Sequence, residues 1–258
     1  MIIDRKSIGL AALLPLLAVT QVQAQGFLGG LMGGDKKPDA AATAKDKKVD
    51  PDAILLRGTG ILVCLALANE RALAAQEKML AAFPDDRIAG IKQKFEKYNE
   101  AKVIRKADTS PDATKLGVEN QAAVDCQAEM AKLMDEKVEF KKGYGAEASA
   151  AYTQVGWAVG IDLLAAVQVP GFIKEAQALV QSLGSNPFQL NKIKGATALV
   201  VTMGASLKTL PSQIDALKSV QTVSKKIALA EKVALKEATP AVDLDPKQVA
   251  GTGGTIES

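Results

Sequence analysis

The chain is 258 residues long and carries 32 Lys and Arg against 29 Asp and Glu, with no histidine. The missing histidine removes the commonest general base, proton shuttle and zinc ligand, so Ser-His-Asp and Cys-His catalysis are excluded. The balanced charge, interleaved along the chain, argues against a nucleic-acid binder, which needs clustered Lys and Arg for phosphate contact.

Residues 1–24, MIIDRKSIGLAALLPLLAVTQVQA, combine a basic start at Arg5 and Lys6, an apolar run from Ile8 to Val19, and the small-residue site Val22-Gln23-Ala24. This is the pattern of a secretory signal peptide cleaved after Ala24. Its apolar run of about 12 residues is shorter than the roughly 20 that a spanning helix needs. The expectation is a bacterial exported protein that is periplasmic, outer-membrane-associated or secreted. Without those 24 residues, 30 basic residues stand against 28 acidic ones. Residues 25–50, rich in Gly, Ala, Lys and Asp and without a sustained period, read as a flexible tether. Phe27, Leu28, Leu31 and Met32 near its start suit a weak membrane or partner contact.

From 51 to 237 the pattern is helical throughout, which makes an all-α bundle of five to six helices with a mostly apolar central helix and disordered N- and C-terminal arms. The first helix starts at Pro51-Asp52 and runs to about Ala82, where Phe83-Pro84 stops it. Its stretch from Gly58 to Ala68 has no charge on any side, and a helix apolar all round is buried all round. A second helix, Pro84 to about Ala107, carries Ile88, Ile91, Phe95 and Tyr98 as one stripe among lysines and glutamates, as an outer helix does. The lysines and arginines at 87, 92, 94, 97, 102, 105 and 106 make its polar face a mild candidate for anionic lipid, although Glu96 and Glu100 fall among them.

Ser110-Pro111-Asp112 starts a third helix that reaches Gly143, with Leu116, Ala123, Cys126, Met130, Leu133 and Phe140 on its apolar side. The fourth helix holds the chain's most apolar stretch, is broken at Val169-Pro170-Gly171 and resumes to Leu183, with Gly184 as its cap. Asn186-Pro187 opens a fifth helix through Leu207, and Pro211 a final one to about Glu237. Residues 238–258 read as an unstructured tail. No alternating run between turn signals points to a sheet.

Few motifs carry chemistry. Gly58-Thr59-Gly60 lacks the third glycine and the strand-to-helix setting of a dinucleotide loop, and no phosphate loop or EF-hand is present. Asp85-Asp86 and Asp135-Glu136 are acidic pairs at a helix start and on a solvated face. No catalytic residue, cofactor or metal ligand is therefore assigned, and the chain reads as a non-enzyme. Cys64 and Cys126, the only cysteines, are expected to form a disulfide after export. Each sits near mid-helix, roughly 18 and 22 Å from its helix start at 1.5 Å per residue.

Between Ala148 and Ile173 the one charged residue is Asp162. Nine Val, Leu, Ile and Phe residues there give roughly −3 to −5 kcal/mol of insertion free energy, while a central Asp costs about 2.5 to 3.5 and Gln154, Gln168 and Pro170 cost more. The stretch fails as an independent transmembrane helix. It suits a core hairpin in which Gly156, Gly160, Gly195 and Gly204 let the fourth and fifth helices approach.

Two functions follow. One is an exported, non-catalytic protein that binds a macromolecular partner, an envelope component or an apolar ligand. The other is a membrane-active bundle that uses an apolar hairpin at 148–173 and 195–207, as helical pore-formers do. For either, Gly156, Trp157, Gly160 and Asp162 are the candidate membrane- or ligand-facing residues. A membrane surface is thus a possible partner, nucleic acid is not, and the sequence sets no oligomeric state.

Overall fold

A computed structural model describes residues 50–107, 112–135, 139–184, 187–239 and 241–252. Residues 1–49, which include the stretches read as a signal peptide and a tether, together with Ser110-Pro111, Asn186 and residues 253–258, lie outside these described residues. The described residues form five long helices and one short helix, with no strand among them.

Helix α1 (Pro51–Met79) begins as its sequence requires: Asp50 accepts a hydrogen bond from the Asp52 amide at 3.0 Å, and Pro51 occupies the first turn. A 3-10 turn at Leu80–Ala82 and the extended Phe83-Pro84 end it, and α2 (Ala89–Lys106) follows. Asp112 caps α3 (Ala113–Asp135), accepting from the amides of Thr114 and Lys115, and these bonds hold its carboxyl below the usual range.

Helix α3 is shorter than its apolar spacing predicts. Phe140, expected on its stripe, lies in the non-helical stretch beyond, where its ring meets Phe83 edge-on at 5.0 Å. The Lys141 amide donates to the Ala82 carbonyl at 2.8 Å, which holds this stretch on the α1–α2 corner.

The two prolines expected to break helices do not. Helix α4 (Gly145–Leu183) runs through Pro170, and α5 (Leu190–Ala230) runs through Pro211. A proline removes one backbone hydrogen bond and crowds the preceding turn. Here the flanking turns stay helical because Val169, Phe172 and Ala176 around the first, and Leu210, Ile214 and Leu217 around the second, all lie in the core. Gly184 caps α4 with φ +54°, a conformation glycine takes without strain.

Helix α5 ends at Ala230, seven residues before the expected Glu237. The Lys232 amide donates to Leu229 and the Val233 amide to Ala228, a Schellman closure that puts Lys232 at φ +60°. A left-handed lysine is strained, so Lys232→Gly is expected to stabilise the fold by about 1 kcal/mol, read as a shift in the denaturation midpoint at unchanged slope. Glu231, just past the helix, turns its carboxylate onto the amides of Gly143, Tyr144 and Gly145 at the start of α4. Those three bonds hold the exposed carboxylate below its ordinary pKa.

Side-chain pairs set the directions. Asp52 meets Lys192, Asn69 meets Gln213 and Met79 meets Ser224, so α1 and α5 run the same way. Gly117 touches Thr202 and Asp135 pairs with Ser219, which aligns α3 with them. Helix α4 runs opposite, because Gly58 meets Phe172 while Arg71 meets Trp157.

A polar layer fixes the register of the three parallel helices. Gln127 and Gln213 both donate to the Asn69 carbonyl oxygen at 2.9 Å, the Asn69 amide donates to Asn120 at 2.7 Å, and Asn120 donates to Ser206 at 3.2 Å. All five side chains are buried, and sliding one helix by a turn would leave several of them unpaired.

Candidate functional site

The charge-free part of α1 needs apolar neighbours on every side. It obtains them from α3, α4 and α5, and on its remaining side from the C-terminal segment. That segment, expected to be unstructured from residue 238, is ordered packing as far as Thr252. From Glu231 it runs along α4, where Ser149 donates to the Ala234 carbonyl, Thr153 to the Lys236 carbonyl and Tyr152 to Glu237. It then crosses to α1 and forms α6 (Pro246–Ala250), capped by Asp245 and set against Gly60 by Pro246. Leu244 and Val249 are its buried anchors. At its end Arg71 donates to the carbonyls of Ala250 and Thr252.

This strap decides the fate of the four residues singled out in the sequence. Trp157 is only 2% exposed: its indole N–H donates to the Thr252 hydroxyl at 3.0 Å, and the Arg71 guanidinium lies 4.7 Å from the ring centroid. It faces the chain's own C-terminal segment. Gly156 and Gly160 line a pocket of about 100 Å³ between α4, α5 and the strap, together with Tyr152, Gln221 and Glu237. A methyl group at Gly156 would collide with the Gln221 amide, whereas Gly160 has open space beside it. Asp162 is not part of this pocket.

The glycine pattern proposed for the apolar hairpin is corrected on two counts. Gly195 packs against Leu55 of α1, and Gly204 has no close neighbour. Because α4 and α5 are antiparallel, with Tyr152 beside Gln221, residues 195–207 lie level with the second half of α4, where Phe172 and Leu199 both reach Gly58, and they also pack on α1 and α3. Residues 148–173 and 195–207 therefore overlap only in part, within a longer antiparallel α4–α5 pair.

Asp162 points into the core between α1 and α5 and is 1% exposed. Neither carboxyl oxygen has a hydrogen-bond partner among the described residues. Burial alone pushes its pKa up to about 8, so the group is a neutral acid at neutral pH.

The expected disulfide is absent, and Cys64 and Cys126 are buried free thiols. Helical geometry gives the reason. At about 100° per residue, Cys64 lies about 140° around α1 from Asn69, the residue that faces α3, and Cys126 lies about 100° around α3 from Gln127, its partner. The nearest charged groups differ accordingly: Asp245 and Asp243 of the strap for Cys64, Glu77 and Lys94 for Cys126. Burial pushes both thiols up to about 12, which makes them poor nucleophiles. Adding a reductant is expected to leave the melting temperature unchanged; a drop of several degrees would reveal a bridge after all.

A larger concavity lies at the α1–α2 corner, which the sequence reading did not single out. It is an open groove of about 510 Å³. Leu80, Ile88 and Phe95 form its floor, and each also packs on the core. Glu77 and Glu96 stand on its rim with Lys92, none of them ion-paired among the described residues, while Lys141 closes one side by pairing with Asp85 at 3.3 Å. Asn99 and Tyr144 complete the wall. The Phe83-Pro84 corner and the Ile88 and Phe95 stripe were visible in the sequence. What hid the groove was its third wall, the non-helical 139–144 stretch read there as helix.

The basic face expected on α2 is interrupted as well. Arg105 is drawn inward to Glu119 and Glu70, and Lys106 pairs with Glu70. Among the described residues no three Cys, Asp or Glu side chains gather closely enough to hold a metal ion. Neither a protein-family model, nor a curated protein, nor a solved structure matches the chain.

Proposed function

We propose that the protein is an exported, non-catalytic binding protein that engages a macromolecular partner of the cell envelope or secretome through the groove at the α1–α2 corner. The observation that carries this reading is the groove's composition: an apolar floor of Leu80, Ile88 and Phe95 beneath charges of both signs at Glu77, Lys92 and Glu96, which form no ion pair among the described residues. An open trough of that kind suits a polypeptide segment that seats one or two apolar side chains and meets the rim with charges. A small apolar ligand would gain more from an enclosed site that removed most of its surface from water. Export is supported by the pattern of residues 1–24.

The test uses the protein recovered from envelope and culture fractions, where its N-terminus is expected at Gln25. The charge-reversing rim variant Lys92→Glu, combined with Asn99→Arg, should fold with the wild-type melting curve and lose the co-purifying partner. Recovery of the same partner by wild type and variant alike would place binding elsewhere.

A further inference from the structure

We infer that the groove at the α1–α2 corner takes an extended partner segment in which apolar and charged side chains alternate, ordered apolar, acidic, apolar, basic from the Ile88 end. This rests on the groove reading and adds the conformation, residue pattern and register of the occupant.

The groove is long and narrow. Ile88, Lys92, Phe95, Glu96 and Asn99 fall at three- and four-residue steps, so they form one stripe of α2 that lines the groove from end to end. At 1.5 Å per residue that stripe is about 16 Å long. A volume of about 510 Å³ over this length is a mean cross-section of roughly 30 Å². An α-helix with its side chains is about 10–12 Å across and fills roughly 80 Å² or more. A single extended chain, which strands in a sheet approach to about 4.8 Å, has the right width.

Charge is sorted along the trough. Glu70 pairs with Arg105 and Lys106, so α1 and α2 run opposite ways, and Glu77, one step of two turns further on, stands about level with Asn99. Glu77 and Glu96 therefore share one end. Lys92 stands toward the other, where Lys141 is already held by Asp85. The two ends call for opposite charges, an acid at Lys92 and a base at Glu96 and Glu77. A segment charged with one sign throughout meets repulsion at one end.

Spacing sets the register. From Ile88, Lys92 lies about 6 Å along α2, Phe95 about 10 Å and Glu96 about 12 Å. An extended chain advances about 3.3 Å per residue and turns successive side chains to opposite faces. Four consecutive residues starting about 3 Å past Ile88 fall at roughly 3, 6, 10 and 13 Å. The first and third then face the floor, over Ile88 and over Phe95 with Leu80, while the second and fourth turn outward to Lys92 and to Glu96 with Glu77. The two-residue alternation of a strand thus matches the alternation of floor and rim.

The experiment measures the fluorescence anisotropy of labelled nonapeptides mixed with the full chain. Each peptide carries four test residues between Gly-Ser flanks: Leu-Glu-Leu-Lys, Leu-Lys-Leu-Lys, Leu-Glu-Leu-Glu or Ser-Glu-Ser-Lys. Wild type should bind Leu-Glu-Leu-Lys about fivefold more tightly than either single-sign peptide, and Ser-Glu-Ser-Lys about tenfold or more weakly still. Lys92→Glu makes the unpaired rim charges all carboxylate and should turn the preference to Leu-Lys-Leu-Lys. Glu77→Lys with Glu96→Lys should turn it to Leu-Glu-Leu-Glu. All three positions are exposed, and far-UV circular dichroism verifies that each variant is folded. Equal binding of the three leucine peptides by wild type overturns the inference, as does a preference that stays put in the folded variants or no binding at about 1 mM protein. The groove reading is judged apart from this: loss of the co-purifying partner with Lys92→Glu, Asn99→Arg, but no peptide preference, would mean that the partner enters the groove in another form.

Discussion

Asp162→Asn is expected to be more stable than the wild type by on the order of 5 kcal/mol at pH 9 and to match it near pH 3. The buried carboxyl keeps its proton up to about pH 8 in the folded protein, whereas an unfolded chain releases it near 3.8. Between those values the native state binds more protons than the unfolded state. Stability therefore falls as pH rises from about 4 to about 8, and flattens above. An amide of the same shape cannot ionise, so it contributes no such slope. Urea unfolding of both proteins across that range reads the difference directly; parallel curves would mean that Asp162 has a partner or reaches water.

The second large effect is at Arg105. Its guanidinium donates twice to Glu119, through Nε at 2.5 Å and through a terminal nitrogen at 3.1 Å, and lies 3.7 Å from Glu70. The Glu119 side chain is fully buried, so the pair satisfies a carboxylate that no water reaches. Arg105→Leu removes the cation and strands the anion, which should cost about 3 to 5 kcal/mol and about 10 °C of melting temperature. The double variant Arg105→Leu, Glu119→Leu should recover most of the loss, since two apolar side chains leave no buried charge. Lysine at 105 is not a conservative replacement, because an ammonium cannot donate in the bidentate fork. A single variant within 1 kcal/mol of wild type would show the pair to be dispensable.

Those two sites mark the limits of sequence reasoning. Helices were legible because apolar residues recur at helical spacing, and the centrality of α1 followed from its having no polar side between Gly58 and Ala68. Asp162 stood out as one carboxylate in an apolar run. Its isolation did not, since that depends on what α1 and α5 present to it. Arg105 read as one charge of a basic helix face and Glu119 carried no local signal, and their inward turn arises from tertiary packing. Asn69, Asn120, Gln127 and Gln213 come from three helices, and nothing in their local spacing shows that they converge.

Breaker residues misled for a related reason. Pro170 and Pro211 have strong local effects, but each lost hydrogen bond is outweighed by apolar side chains buried on both flanks. In the tail, the Pro and Gly content of 238–258 suggested disorder, while two well-placed apolar residues, Leu244 and Val249, were enough to anchor it once α1 and α4 supplied a surface. The cysteines were matched by height along their helices. Which way each thiol points around its helix decides the pairing, and that direction follows only from the register set by the polar layer.

The measurement closest to the central claim is site-specific photo-crosslinking in the producing cell, with the reactive side chain placed at Asn99 in the groove or at exposed Ser212 on α5. A binding protein of the kind proposed gives one discrete adduct from position 99, lost with Lys92→Glu, and none from position 212. No adduct from position 99, or the same adducts from both positions, would contradict it.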